Sequence, residues 1–160
     1  MSPVFIIDTN VVVAGLLASR ADSPVSRTLD GMLRASFRFA ISEALLAEYR
    51  SVLFRPKLVS LHRLTALEID AILTDLARHA IVLPASISTE AHLAPDPGDQ
   101  FLWNLLTSRD DLMLVTGDKL LQQAGPLQQR ILAAQAFAAK VLDQGDMPGG
   151  GAEFSRNRSE

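Results

Sequence analysis

The sequence contains no cysteine, so disulfides and thiolate metal sites are excluded. It also lacks a long hydrophobic run, because residues 11–18 fall well short of the roughly 18 apolar residues that a membrane span requires. The N-terminus has no basic region, and Asp8 and Asn10 interrupt its apolar stretch, which argues against a signal peptide. Three histidines are scattered without the spacing of zinc ligands: His62, His79 and His92. We therefore expect a cytoplasmic protein with no membrane association.

The sequence has little net charge of either sign, and a formal charge of −3 argues against a strongly basic nucleic-acid clamp. The net charge conceals an uneven distribution of charged residues along the chain. Residues 20–63 contain eight Lys and Arg against four Asp and Glu, whereas residues 64–120 contain three against nine. This asymmetry fits an acidic metal-binding edge beside a basic surface for phosphates. Ordinary solvated helix faces explain the counts equally well.

The 160 residues favour one domain of the α/β class. Five short apolar runs predict strands, at residues 4–8, 37–41, 81–83, 112–115 and 130–133. Helical patterns with capping residues alternate with these runs, which predicts a parallel sheet covered on both faces. The domain is expected to span residues 1–143. The polar, glycine-rich tail at residues 144–160 is expected to be disordered.

Acidic residues follow two of the predicted strands. Asp8 ends the first strand, and Asp118 comes shortly after the fourth. Because parallel strands present their carboxyl ends at one edge of the sheet, we expect these carboxylates to lie close together. Each could instead only cap the following helix. A haloacid-dehalogenase-like phosphatase also starts with an Asp here, but it requires a second Asp where this chain has Asn10.

Two further acidic residues lie on amphipathic helices beside the predicted core. On a helical wheel Glu48 lies about 40° beyond Val52, at the margin of the apolar arc. Its alternative role is a boundary residue that pairs with an arginine. Asp99 lies within the apolar arc of its own helix, and capping there is better explained by Asp96. Carboxylates are rarely placed beside a core unless they pair or bind a metal.

Taken together, the four acidic residues indicate a divalent-metal site. Clustered carboxylates raise one another's pKa unless a cation offsets their charge. Oxygen ligands alone suit Mg²⁺ or Mn²⁺, as one ion or two. We therefore interpret Asp8, Glu48, Asp99 and Asp118 as catalytic metal ligands. Thr116 is positioned to donate a hydrogen bond to one of these carboxylates.

The ordered motifs resemble the PIN-domain family, in particular the toxin components of VapBC-type toxin–antitoxin systems. The landmarks are Ile7-Asp8-Thr9-Asn10, residues 42–53 with Glu48, Asp96-Pro97-Gly98-Asp99, and Val115-Thr116-Gly117-Asp118. The resemblance extends from about residue 4 to residue 142. One departure is that Gln100 and Trp103 follow Asp99, where relatives often carry Asp or Asn and small residues.

The resemblance implies a three-layer α/β/α fold with a central parallel sheet of four or five strands. It also implies a metal-dependent endoribonuclease whose acidic quartet is Asp8, Glu48, Asp99 and Asp118. The matching supporting positions are Thr9, Asn10 and Thr116, with Asp96 as a structural neighbour. A homodimer and a cognate antitoxin are further expectations from the family.

The resulting hypothesis is RNA phosphodiester hydrolysis by a metal-activated water. Four cations are candidates for contacts with the RNA backbone: Arg20, Arg50, Arg55 and Lys57. Two alternatives stay open. One is a PIN-like module that binds RNA or a protein without cleavage, and the other is a metal-dependent phosphatase.

Overall fold

The computed structural model describes residues 3–84, 93–123 and 125–143. Within them, five strands and eight α-helices alternate along the chain. The strands are β1 (Val4–Ile7), β2 (Ala40–Ile41), β3 (Ile81–Val82), β4 (Leu112–Val115) and β5 (Ile131–Leu132). The α-helices are α1 (Thr9–Leu17), α2 (Pro24–Leu33), α3 (Glu43–Leu53), α4 (Pro56–His62), α5 (Ala66–His79), α6 (Gln100–Thr107), α7 (Lys119–Gln122) and α8 (Ala134–Phe137). Pro97–Asp99 and Gly125–Arg130 form 3₁₀-helices, and Ala138–Leu142 continues α8 as a π-helix.

All the strand pairs are parallel. Strand β1 pairs with β4 in a register that runs from Val4 opposite Leu112 to Ile7 opposite Val115. Strand β5 pairs with the other edge of β4, giving the order β1-β4-β5. Strands β2 and β3 form a separate parallel pair. The expected α/β architecture with a parallel sheet is therefore confirmed.

The strand count of the central sheet differs from the expected four or five. All five predicted strands exist, but the central sheet has three, and the β2-β3 pair meets it only at a bridge between Phe5 and Phe39. Beyond this bridge, the Ile7 carbonyl of β1 accepts a hydrogen bond from the Tyr49 hydroxyl at 2.5 Å, so a side chain and not β2 is its partner there.

Capping residues set the helix starts as the sequence predicts. Ser23 and Ser42 accept hydrogen bonds from the third amide of α2 and α3, each at 3.2 Å. Thr65 and Glu68 form a reciprocal capping box at the start of α5. Helix α4 is not predicted by the sequence pattern, since a proline such as Pro56 commonly ends a preceding helix. Proline also suits the first turn of a new helix, where its missing N–H costs nothing.

The core lies around the central sheet. Every residue of β1 is buried, as are Leu112, Leu114 and Val115 of β4. Helices α1 and α2 approach closely at Gly15, where an added Cβ would lie 2.6 Å from the Val25 carbonyl oxygen. This packing fixes the helix that directly follows Asp8.

Two expectations fall partly or wholly outside the described residues. The tail at residues 144–160 lies outside them, so its disorder and the domain boundary at residue 143 stay predictions.

Among the helices of the described part, none has the length and apolar character needed to cross a membrane.

Candidate active site

A cavity of about 460 Å³ opens at the carboxyl ends of β1 and β4. The four predicted acidic residues line it, although they come from four different places in the chain. Asp8 follows β1, Glu48 lies on α3, Asp99 precedes α6, and Asp118 lies between β4 and α7. The remaining lining residues are Thr9, Asn10, Val13, Ala14, Leu17, Val52 and Arg55.

Asp8 is held in one orientation by hydrogen bonds to both of its oxygens. It is 6% exposed and caps α1, with Oδ1 accepting from the Thr9 amide at 2.7 Å. Its Oδ2 accepts from the Thr116 hydroxyl at 2.8 Å. Asn10 bridges the two strand ends, because its Oδ1 accepts from the Gly117 amide at 2.9 Å while its Nδ2 lies 3.5 Å from Asp8 Oδ2. The capping role and the cavity-lining role therefore coexist in Asp8.

Thr116 connects the other strand-end carboxylate to this network. Its hydroxyl accepts from the Asp118 amide at 3.1 Å while it donates to Asp8. Its carbonyl accepts from the Gln122 side chain at 2.8 Å, a contact that no pattern in the sequence predicts. Asp118 uses Oδ1 to cap α7 through the Leu120 amide at 2.9 Å. Asp118, like Asp8, both caps a helix and lines the cavity.

Asp99 and Asp96 divide their roles as the sequence suggests. Asp96 is exposed and caps the 3₁₀-helix, accepting from the Gly98 amide at 3.1 Å. Asp99 is half-buried and makes no capping hydrogen bond, although it stands at the start of α6. The unusual Gln100 anchors this segment, since it accepts from the Ala94 amide and donates to Asn104. The carboxylate of Asp99 therefore lines the cavity without a role in capping.

Glu48 is half-buried, and within the described part of the chain it forms no ion pair, which removes the arginine-pairing alternative there. Its neighbour Tyr49 is fully buried and donates to the carbonyl of Ile7, the residue before Asp8. One hydrogen bond therefore joins the side chain of the residue next to Glu48 to the backbone beside Asp8. The role of Tyr49 was not predicted from the sequence. A single tyrosine on an apolar helix face, next to a candidate ligand, was the available signal.

The electrostatics of the cavity reflect burial and crowding of like charges. Burial is the main cause that raises the pKa of Asp8, and Glu48 and Asp118 add to it, while hydrogen bonds from Thr116 and Thr9 oppose it. Burial also raises the pKa of Asp99, with further contributions from Asp8, Asp96 and Asp118. The carboxylates therefore interact across the cavity. A cation placed among them would relieve both the repulsion and the cost of burial.

A family model of the PIN domain matches residues 4–120, which is well over half of the chain. The chain belongs to the PIN-domain family. No curated protein matches it significantly. PIN domains are generally nucleases, so the acidic cavity lies in a nuclease fold.

The donor set of this PIN domain suits a hard divalent cation. Among the described residues that line it, the cavity offers carboxylate oxygens, no histidine and no sulfur. The buried hydroxyl of Thr9 has no hydrogen-bond partner within the described residues, an uncommon condition that a ligand at the site could relieve. However, in the described ranges no three acidic or histidine side chains lie close enough together to form a ready-made metal cluster. Shared coordination therefore requires the carboxylates to draw together.

The four cations considered for RNA contacts lie in different surroundings of the PIN domain. Arg20 pairs with Asp22, and Arg50 pairs with Asp70 and lies over the ring of Phe54. Lys57 is exposed on α4 and does not line the cavity. Arg55 does line the cavity.

Proposed function

We propose that this PIN domain is a metal-dependent endoribonuclease that hydrolyses RNA phosphodiester bonds. One observation carries the proposal. Carboxylates from four separate chain segments line one cavity, and none of them forms an ion pair within the described residues. Unpaired carboxylates are costly beside a core, so their retention favours a bound cation as the missing partner.

Each residue has a distinct part in this proposal. Asp8, Asp99 and Asp118 would hold Mg²⁺ or Mn²⁺, and Glu48 would complete the ligand set. When bound, such an ion lowers the pKa of a water molecule and offsets negative charge on the phosphate. The Thr116 hydroxyl and the Thr9 amide keep the two oxygens of Asp8 in fixed directions. Fixed ligands reduce the reorganisation needed when the transition state forms.

In the proposed hydrolysis, the bond that breaks is the one between phosphorus and the 3′ oxygen, which defines the products. A water oxygen forms a bond to phosphorus, the bond to the 3′ oxygen breaks, and that oxygen leaves with a proton. The products are a 5′-phosphate and a 3′-hydroxyl. Attack by the RNA's own 2′-hydroxyl would instead leave a 2′,3′-cyclic phosphate. End-group analysis of the fragments therefore distinguishes the proposed chemistry from a metal-independent route.

The test compares two variants that each remove one negative charge. Purified protein is incubated with single-stranded RNA and Mn²⁺, with Asp8→Asn and Asp110→Asn alongside. Asp110 is exposed and does not line the cavity, so Asp110→Asn should keep full activity. Asp8→Asn should lose roughly a hundredfold or more, because metal-assisted charge stabilisation contributes several kcal/mol. Cleavage that survives in Asp8→Asn, or that persists in EDTA, would reject the proposal.

The same assay separates the rival functions. Tight RNA binding without cleavage under any divalent metal would favour a non-catalytic binding module. Turnover of small phosphomonoesters without cleavage of RNA would favour a metal-dependent phosphatase.

We also propose that the nuclease is the toxin of a toxin–antitoxin pair, acting as a homodimer and neutralised by a cognate antitoxin. The resemblance of its motifs to such toxins supports this role. Induced expression in a bacterial host should arrest growth, and Asp8→Asn should not. Coexpression of the product of a small neighbouring reading frame should restore growth. Unimpaired growth at high expression of active protein would contradict the toxin role, and sedimentation of a monomer would contradict the dimer.

A further inference from the structure

Arg55 differs from the other charged residues of the cavity, because among the described lining residues it is the only cation. Its guanidinium forms no hydrogen bond or ion pair within the described part of the chain. Arg20 and Arg50, by contrast, are each committed to an aspartate. An exposed arginine beside four carboxylates that nevertheless pairs with none of them is available to another anion.

The backbone beneath Arg55 is fixed. The Arg55 amide donates to the Val52 carbonyl at 3.1 Å, and its carbonyl accepts from the Leu58 and Val59 amides at 2.9 Å each. Pro56 then starts α4 immediately after it. The side chain therefore extends from a rigid junction between α3 and α4, beside the cavity. Contact with a ligand therefore requires ordering of the side chain but of no loop.

Among the described lining residues, helix α1 contributes only the apolar side chains of Val13, Ala14 and Leu17 besides Thr9 and Asn10, so it supplies no cation. A polyanion that approaches four carboxylates is repelled unless a cation lies at the point of entry. The planar guanidinium of arginine binds two phosphate oxygens at once, which makes it suited to that contact.

We propose that Arg55 binds a backbone phosphate of the RNA next to the scissile bond and thereby orients the strand over the acidic cavity. This inference rests on the proposed function, since it names the substrate-binding residue of the same site. The contact is to phosphate, so it fixes the position of the strand and carries no sequence preference.

A purely neutralising role for Arg55 makes a different prediction. In either role, Arg55→Gln removes positive charge beside the carboxylates and should tighten Mn²⁺ binding. Either role also predicts weaker binding of RNA by Arg55→Gln, because the uncompensated carboxylates repel the polyanion. Only the phosphate-binding role predicts that Arg55→Lys, which keeps the charge but not the planar guanidinium, binds RNA more weakly than the unsubstituted residue. The affinity of Arg55→Lys for RNA therefore separates the two roles.

The experiment measures RNA binding by fluorescence anisotropy with a labelled single-stranded oligonucleotide, in an Asp8→Asn background that prevents cleavage. Adding Arg55→Gln should raise the Kd about tenfold, as expected for loss of a charged hydrogen-bonded contact. The slope of log K against log salt should fall by about 0.7, the value for one phosphate on a single strand. Arg55→Lys keeps the charge but loses the planar guanidinium that binds two phosphate oxygens, so its Kd should lie between those of the Arg55 and Arg55→Gln proteins.

Arg78→Gln is the matched control, because Arg78 is an exposed arginine on α5 that does not line the cavity. It should change the Kd less than twofold. Thermal shift with Mn²⁺ alone, on proteins that retain Asp8, should give a lower half-saturation concentration for Arg55→Gln than for Arg78→Gln.

If Arg55→Gln and Arg78→Gln bind RNA with equal affinity and equal salt slope, Arg55 does not contact the RNA and the proposal is wrong. If Arg55→Lys binds RNA as tightly as the unsubstituted residue, Arg55 only offsets the carboxylates and the proposal is wrong as well. Failure of the Asp8→Asn protein to bind RNA at all would overturn it as well. Absence of cleavage by the unsubstituted protein, with an Arg55-dependent Kd, would instead overturn the nuclease and leave the phosphate contact standing.

Discussion

Replacing Tyr49 with phenylalanine removes a single oxygen atom from the interior while the ring stays in place. The ring is fully buried, and its hydroxyl donates to the Ile7 carbonyl at 2.5 Å. Loss of this donor leaves a buried carbonyl without a partner, which costs about 1–3 kcal/mol. For a domain of this size the melting temperature should fall by about 3–9 °C.

The assay is urea unfolding followed by the fluorescence of Trp103, the single tryptophan, which is buried in the core. Thr28→Val serves as the control, because its buried hydroxyl bonds the Pro24 carbonyl within the same helix. A helical amide also serves that carbonyl, so the control should lose less free energy of unfolding than Tyr49→Phe. Equal losses in the two variants, or no loss in Tyr49→Phe, would refute the reasoning.

The same substitution should affect catalysis, because the hydrogen bond joins the residues beside Glu48 and Asp8. Without it, α3 is less firmly fixed against the end of β1. We expect kcat to fall about tenfold with little change in KM, since misplacement of catalytic groups by a fraction of an ångström affects the transition state most. A change confined to KM would contradict this positioning role.

Three further predictions concern separate parts of the molecule. Gly15→Ala should destabilise the fold by about 1–3 kcal/mol in chemical denaturation, because its Cβ would lie 2.6 Å from a carbonyl oxygen of α2; unchanged stability would contradict that close approach. In metal-free protein at pH 7, Asp8→Asn should melt no lower than Asp110→Asn by differential scanning fluorimetry, since burial raises the pKa of Asp8 and its ionised form is costly; a clearly lower Tm would contradict this. The hydrogen bond from Arg109 lowers the pKa of Asp111 in the folded protein. The ionised Asp111 therefore stabilises the fold at pH values above the pKa of about 3.9 in the unfolded chain, and this stabilisation is lost as the pH falls through the lower pKa of the folded protein. Asp111→Asn should therefore be less stable than Asp110→Asn at neutral pH and equal to it in strong acid, and a pH-independent difference would contradict the assignment.

The apolar runs and the capping residues were sufficient to predict most of the fold. Strands β1 and β4 are buried along both faces, so their sequences are continuously apolar, which is a strong local signal. The hydroxyls of Ser23, Ser42 and Thr65 each bond amides within three residues. Interactions of such short range are readable from sequence alone.

Features that depend on distant contacts were not predictable in the same way. The division of the strands into a sheet of three and a separate pair depends on pairing between segments far apart in the chain, and the hydrogen bond between Tyr49 and Ile7 joins residues 42 positions apart. Helix α4 was missed because a proline can either end one helix or start the next, and tertiary packing decides between them.

For the candidate site, the topology of a parallel sheet explains why Asp8 and Asp118 could be expected at one edge. Glu48 and Asp99 required the helical wheel in addition. Sequence could not indicate how closely the four carboxylates approach one another, since that depends on rotamers and on the ion itself. It also could not separate Arg55 from three other cations, because only the packed chain shows which of them are already paired.

The central claim is that four carboxylates from separate segments share a divalent cation. The most direct test is a crystal structure of the protein soaked in Mn²⁺, with diffraction data collected at the manganese absorption edge. We predict an anomalous peak inside the cavity, coordinated by Asp8 together with Asp99 or Asp118. An anomalous peak elsewhere on the molecule, or an empty cavity at saturating Mn²⁺, would contradict the claim.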